Sequence, residues 1–235
     1  MKRVQILLGL AAVGIATGGW LGLNAPPDAL QGEYSRIINV HVPSSWLAFL
    51  AFGVTAFGSI AWLIRRKPKW DRLAASSAEI GVLFTGIALV TGMIWGHAVW
   101  GRAWDWGDPR LASTAVMFFV YLGYLALRAT IDDPTVRARR SALLGAIAVV
   151  QVPLVYFSVN LWRSLHQTQS IRPDGSTMPD EMLRAMLINV IAFTILYVAL
   201  LYARMGVAKA ESEADQRGAS AERVKPPLVD EVRDV

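Results

Sequence analysis

Cysteine is absent from this chain, so no disulfide staples it and any metal must be held by nitrogen or oxygen ligands. Charge is scarce. Asp, Glu, Lys and Arg make up 17% of the residues, against about a quarter in an ordinary soluble domain. No run of the form GxxxxGK followed by Ser or Thr occurs, so ATP chemistry associated with the chain belongs to a partner. No nucleophile–base pair and no ligand set for a metal-bound water stand out, which argues against a hydrolase. Histidine is nearly missing too: His41, His97 and His166 are the three.

What fills the chain instead is apolar: 54% of residues are hydrophobic and the mean hydropathy is +0.39. A membrane-crossing helix needs about 20 largely apolar residues. Six stretches qualify, at Val4–Leu23, Trp46–Ile64, Ala75–Trp95, Ala112–Ile131, Leu143–Trp162 and Met182–Ala203. The expected fold is therefore all-α, a polytopic membrane protein of six transmembrane helices occupying residues 1–205, with no room for a separate soluble domain. Glycine and proline inside spans are tolerated better than in water, and Pro153 is expected to kink the fifth helix.

The formal charge of +5 would raise nucleic acid as a partner of a soluble protein. Here the positive charge sits in short connections between apolar runs, where it sets topology. With the N-terminus inside, Lys2, Arg3, Arg65, Arg66, Lys67, Lys69, Arg72, Arg128, Arg137, Arg139 and Arg140 face the cytoplasm. Arg36, Arg102, Arg110, Arg163, Arg172 and Arg184 face outward. That bias predicts both termini inside. The first segment is read as a retained span, because its apolar run is long for a leader and no clean small-x-small site precedes Pro26-Pro27. Residues 206–235 are charged, Ala-rich and nearly free of aromatics, and read as a disordered cytoplasmic tail. Glu79, the clear acidic residue within a span, falls near the cytoplasmic end. A carrier would place its ionisable groups at mid-membrane, so a small permease is disfavoured.

This topology puts all three histidines outside, His41 just before the second segment, His166 just after the fifth and His97 at the start of the connection between the third and fourth. Neutral imidazole ligates iron, and two from opposite sides close the axial positions of haem. A single histidine at a helix end is ordinarily an interfacial hydrogen-bonding residue, which is the reading for His97. Residues 95–110 read WGHAVWGRAWDWGDPR and hold four of the nine tryptophans. An interfacial aromatic belt accounts for one or two rings per helix end, not for repeated Trp-Gly pairs. A cluster of rings with indole N–H donors suits a flat apolar ligand, and Arg102 and Arg110 suit its carboxylates. Composition and spacing leave both the ligand and the belt open.

At these residues the sequence resembles the CcmC family, the haem-handling membrane subunit of the cytochrome c maturation system. That family carries a Trp-rich outer loop (the WWD domain, roughly WGxxWGxxWxWD) flanked by two outer histidines. The resemblance rests on Trp95-Gly96, Trp100-Gly101, Trp104 and Trp106, followed by Arg110 to Ser113, and on the stretches His41–Trp46, Ser77–Gly81, Val155–Asn160 and Trp162–Gln167. It spans about residues 1–205. Three residues separate the first two Trp-Gly pairs, and Gly107 intervenes before Asp108; both lengthen the loop relative to the family pattern, and His97 lies outside that pattern.

The resemblance implies that non-covalent haem b is the cargo, held on the periplasmic side of the inner membrane. It implies His41 and His166 as axial ligands of the iron, and Trp95, Gly96, Trp100, Gly101, Trp104, Trp106, Asp108 and Arg110 as the binding surface. It further implies delivery to the haem chaperone CcmE, with CcmA, CcmB and CcmD completing an ABC-type assembly. Haem-attachment subunits of the synthetase type share such a loop, but are longer and have more spans.

Overall fold

A computed structural model describes residues 2–172 and 175–224. Among the described residues seven helices follow one another: α1 (Lys2–Asn24), α2 (Ile38–Arg65), α3 (Pro68–Trp100), α4 (Pro109–Ala129), α5 (Pro134–Ala148), α6 (Gln151–Leu161) and α7 (Asp180–Val224). A short 3-10 turn (Glu33–Ile37) leads into α2, and strands β1 (Ile171–Arg172) and β2 (Gly175–Ser176) form a small antiparallel hairpin before α7. Treating α5 and α6 as one interrupted span, six helices are long and apolar enough to cross a membrane. The protein is an all-α, multi-pass membrane protein, as its sequence predicts.

The helix ends are written in capping residues. Pro68, Pro109 and Pro134 open α3, α4 and α5 at positions where a missing N–H is harmless. Asp108 and Asp133 cap α4 and α5 by accepting from the N–H of Leu111 and Val136 at 2.9 and 2.7 Å. Gly101, at φ 74°, ends α3 in the left-handed region that glycine enters without strain. The fifth span breaks as its proline requires. Lacking an N–H, Pro153 cannot bond the carbonyl of Val149, which instead accepts from Val152 at 3.0 Å.

Several boundaries differ from those read off hydropathy. α2 starts at Ile38, so His41 and Pro43 lie within its first turns rather than ahead of it. α3 runs to Trp100, so Trp95, Gly96 and His97 are helical and the true connection is 101–108. At 33 residues, α3 is about 50 Å long, against an apolar slab of about 30 Å; hydropathy marks the slab and not the helix. α7 continues through 206–224, the stretch whose composition reads as a tail. Ala, Glu, Lys and Arg are strong helix formers, and Lys209 pairs with Glu213 one turn on at 3.6 Å. Residues 225–235 of that expected tail lie outside the described residues.

α2 and α3 form the central pair, α7 flanks them on one side, and α4, α5 and α6 on the other. Phe52 of α2 stacks on Tyr121 of α4 at 3.5 Å between ring centroids. α1 packs almost wholly on α7. A Cβ at Gly14 or Gly18 would lie 2.8 Å from Ala192 or 2.6 Å from Asn189, so the glycine stripe lets the two backbones approach. Six spans bring both ends of the bundle's chain to one side. On that side Arg128 grips Asp71 through two bonds of 2.6 and 2.9 Å, and Arg204 holds Glu79 at 2.6 and 3.0 Å. Glu79 is thus neutralised by a partner. The opposite end gathers the connections at 25–37, 101–108, 162–172 and 175–179.

Candidate functional site

At that opposite end a cavity of about 470 Å³ opens among α2, α3, α4, α6, α7 and the connection after α6. Its size falls in the usual range for small-molecule sites, roughly 300–1,000 Å³. A second space of about 210 Å³ adjoins it. His41, His166 and Arg110 line both, so the two histidines stand at the junction of the spaces although 125 positions apart in sequence.

His166 is held by Asp108. The carboxylate accepts from His166 Nδ1 at 3.1 Å, from the Ser164 hydroxyl at 2.6 Å and from the Leu165 N–H at 2.8 Å, while capping α4. Burial pushes the Asp108 carboxyl upward, but the hydrogen bonds from Ser164 and Leu111, the His166 ring and the Leu165 N–H outweigh it and bring its pKa down to about 2. Burial also lowers His166, opposed by Asp108 and aided by Arg110. The pair is therefore a neutral imidazole donating to an ionised carboxylate. That arrangement leaves Nε2 unprotonated, the form in which histidine ligates a metal.

His41 sits on α2 with Nδ1 3.0 Å from the Thr91 hydroxyl of α3. Of the aromatic residues, Trp95 and Trp100 meet edge to face at 4.5 Å, and Trp100 meets the His166 ring at 4.9 Å. Trp104 and Trp106 form a second edge-to-face pair at 4.9 Å. Trp100 and Trp104 line the large cavity, and Trp95 the small one with its indole N–H on Gln31 Oε1 at 3.1 Å. The Trp104 Nε1 is buried without an acceptor among the described residues. Trp106 is 71% exposed and lines neither space.

Among the expected site residues, then, His41, His166, Trp100, Trp104, Asp108 and Arg110 converge on the large cavity, and Trp95 on its neighbour. Gly96 and Gly101 shape the end of α3 rather than the cavity wall: a Cβ at Gly96 would come within 3.2 Å of the Arg102 carbonyl. Asp108 has both oxygens committed to protein donors, so it positions His166. Arg110 donates to the Tyr156 carbonyl at 2.9 Å, and Arg102 pairs with Asp105 at 2.9 Å at the rim. His97 is exposed in the last turn of α3 and lines neither cavity. Sequence reasoning missed Thr91, Ser164 and Gln31. Ser164 lies inside the Trp162–Gln167 motif; Thr91, an isolated hydroxyl in an apolar run one turn before Trp95, carried no signal beyond its polarity.

The family described as heme exporter protein C, CcmC, matches residues 1–220 of this chain. The heme exporter protein C of Bradyrhizobium diazoefficiens is 40% identical over 192 residues, covering 81% of this chain and 73% of the relative. That of Escherichia coli K12 is 39% identical over 176 residues, 71% of this chain and 70% of the relative. A putative cytochrome c biosynthesis ccmC-like mitochondrial protein of Marchantia polymorpha is 37% identical over 186 residues, 77% of each.

Proposed function

The chain belongs to the heme exporter protein C family, and from that premise we propose that it holds haem between His41 and His166 and passes it on during cytochrome c maturation. The observation that carries this reading is the pair of imidazoles at one cavity, each engaged through Nδ1 by a neighbour and each with Nε2 left to bind. Among the described residues no group of three His, Cys, Asp or Glu side chains gathers to hold a bare ion. Two nitrogen donors alone suit an iron whose equatorial positions are filled by its own porphyrin.

The surroundings support the same cargo. The faces of Trp100 and Trp104 supply apolar contact for a macrocycle, and the unpaired Trp104 N–H offers a donor for one of its polar edges. Arg110 and Arg102 lie where propionate carboxylates would be neutralised. The haem is non-covalent haem b, bound loosely enough to leave: breaking one iron–nitrogen bond opens a site for the acceptor while the tryptophans keep the ring in place. By the bias of Lys and Arg, the site lies on the periplasmic side of the cytoplasmic membrane, with both termini inside. The acceptor is the haem chaperone CcmE, and this chain is a membrane subunit of an ABC-type complex with CcmA, CcmB and CcmD, the ATP being hydrolysed by a partner.

Transfer tests the reading. Membranes containing the haem-loaded chain, mixed with apo-CcmE, should move haem absorbance onto the chaperone, and membranes carrying His41→Gly should not. Equal loading of the chaperone with and without this chain would overturn it.

A further inference from the structure

The two imidazoles are anchored unequally. Thr91 Oγ1 lies 2.7 Å from the Ile87 carbonyl oxygen one turn back on α3. Two oxygens approach that closely only with a hydrogen between them, so the hydroxyl's single proton is spent on Ile87. Toward His41 the hydroxyl is then an acceptor, and the 3.0 Å contact makes Nδ1 the protonated ring nitrogen. The lone pair is left on Nε2. Gly92, the next residue of α3, lets the ring lie close, since a Cβ there would stand 3.0 Å from His41 Cε1. Hydroxyl and glycine together fix both the tautomer and the plane of His41.

His166 presents the same Nε2, but its Nδ1–H faces an anion. A carboxylate draws the Nδ1 proton and raises the donor strength of the far nitrogen; a hydroxyl already engaged as a donor does so far less. Asp108 also ties Ser164 and Leu165 to the start of α4, so the segment carrying His166 is fastened to the bundle. His41 has only neutral partners, the Thr91 hydroxyl and the Ala88 carbonyl.

We propose that Thr91 is a positioning residue that fixes His41 as an Nε2 donor, and that this weaker anchoring makes His41 the axial ligand that detaches first when haem is handed on. The inference rests on the reading that the iron sits between His41 and His166. It assigns the opened coordination site to the α2–α3 side of the macrocycle, with His166 and the Trp95–Trp100 pair retaining the cargo. Conversely, an incoming ligand that attacked the His166 side would have to break the stronger bond first.

The full-length chain loaded with ferric haem, mixed rapidly with excess cyanide, provides the test. Exchange at a six-coordinate iron is limited by departure of the weaker ligand, so its rate reports on that ligand's anchor. Thr91→Val and Thr91→Ala should each raise the first-phase rate about 10-fold, the lower end of the usual effect of removing a ligand's hydrogen-bonding partner; either suffices if the other fails to reach the membrane. Thr91→Ser should exchange at the parental rate. A parental rate in both Thr91→Val and Thr91→Ala, at parental haem content, overturns the inference. So does a first phase accelerated by Asp108→Asn and not by loss of the Thr91 hydroxyl. A parent chain whose haem lacks a low-spin, two-nitrogen spectrum overturns the reading beneath it, and the inference falls with that reading.

Discussion

Asp108 Oδ1 accepts from Nδ1 of His166 at 3.1 Å and from the Leu111 N–H at 2.9 Å. One carboxylate thereby starts α4 and aims a histidine that lies 58 positions later. The two duties are separable by substitution. Asp108→Ala loses the cap, worth about 1 kcal/mol, and leaves the Ser164 hydroxyl and Leu165 N–H without their acceptor. Asp108→Asn keeps one oxygen to cap α4 and meet His166, but gives up the anionic charge and sets an NH2 where Oδ2 accepted from Ser164 and Leu165. Haem retention on a desalting column should fall in the order parent, Asn, Ala, and Ala, which also loses the cap, should melt lowest. Parental retention in both variants would remove Asp108 from the site.

The Trp-rich segment divides into residues that face the cavity and one that does not. Trp104→Ala should lower haem retention, because it removes a ring face and a buried indole N–H. Trp106→Ala should have little effect, since that ring is 71% exposed and lines neither cavity; the double variant should behave like Trp104→Ala alone. Haem absorbance at matched protein level measures both. Full retention in the double variant would return these rings to an interfacial belt.

Topology is tested with reporters active only in the periplasm. A fusion after Arg102 should be active, and fusions after Lys69 or Arg137 silent. Activity at Lys69 would invert the placement of the site relative to the membrane.

Packing of α1 depends on its glycines. A side chain at Gly18 would enter space held by the Asn189 amide, 2.6 Å from a Cβ there. Gly18→Val should destabilise the bundle by about 1–3 kcal/mol, the usual cost of forcing extra carbons into a packed interface. Trypsin resistance of the detergent-solubilised chain provides the measurement. Unchanged resistance would mean that α1 is held elsewhere.

The spans, their number and the histidines at one end of the bundle were legible because hydropathy and charge bias read out solvent, and lipid is a demanding solvent. Helix ends were not. Gly96 and His97 read as connection residues because they follow the apolar run that ends at Trp95, yet Gly101 is what stops α3. Residues 206–224 read as disordered from their charge and lack of aromatics, while their Ala, Glu, Lys and Arg favour helix. Within the site, the identities of His41 and His166 were visible, but their partners were not. Thr91 and Asp108 act through contacts of 3.0 and 3.1 Å made 50 and 58 positions away, and no local pattern encodes such pairings.

Haem iron held between His41 and His166 carries two nitrogen ligands, which its absorbance reports. The most direct measurement is the absorbance spectrum of the purified full-length chain, its histidine variants and the same variants with added imidazole. The parent should show the Soret band of low-spin haem with two nitrogen ligands. His41→Gly and His166→Gly should each lose haem or shift the band, and imidazole should restore it by filling the vacated position. His97→Gly should match the parent. A Soret band unchanged in both His41→Gly and His166→Gly, or a parent without one, would contradict the account.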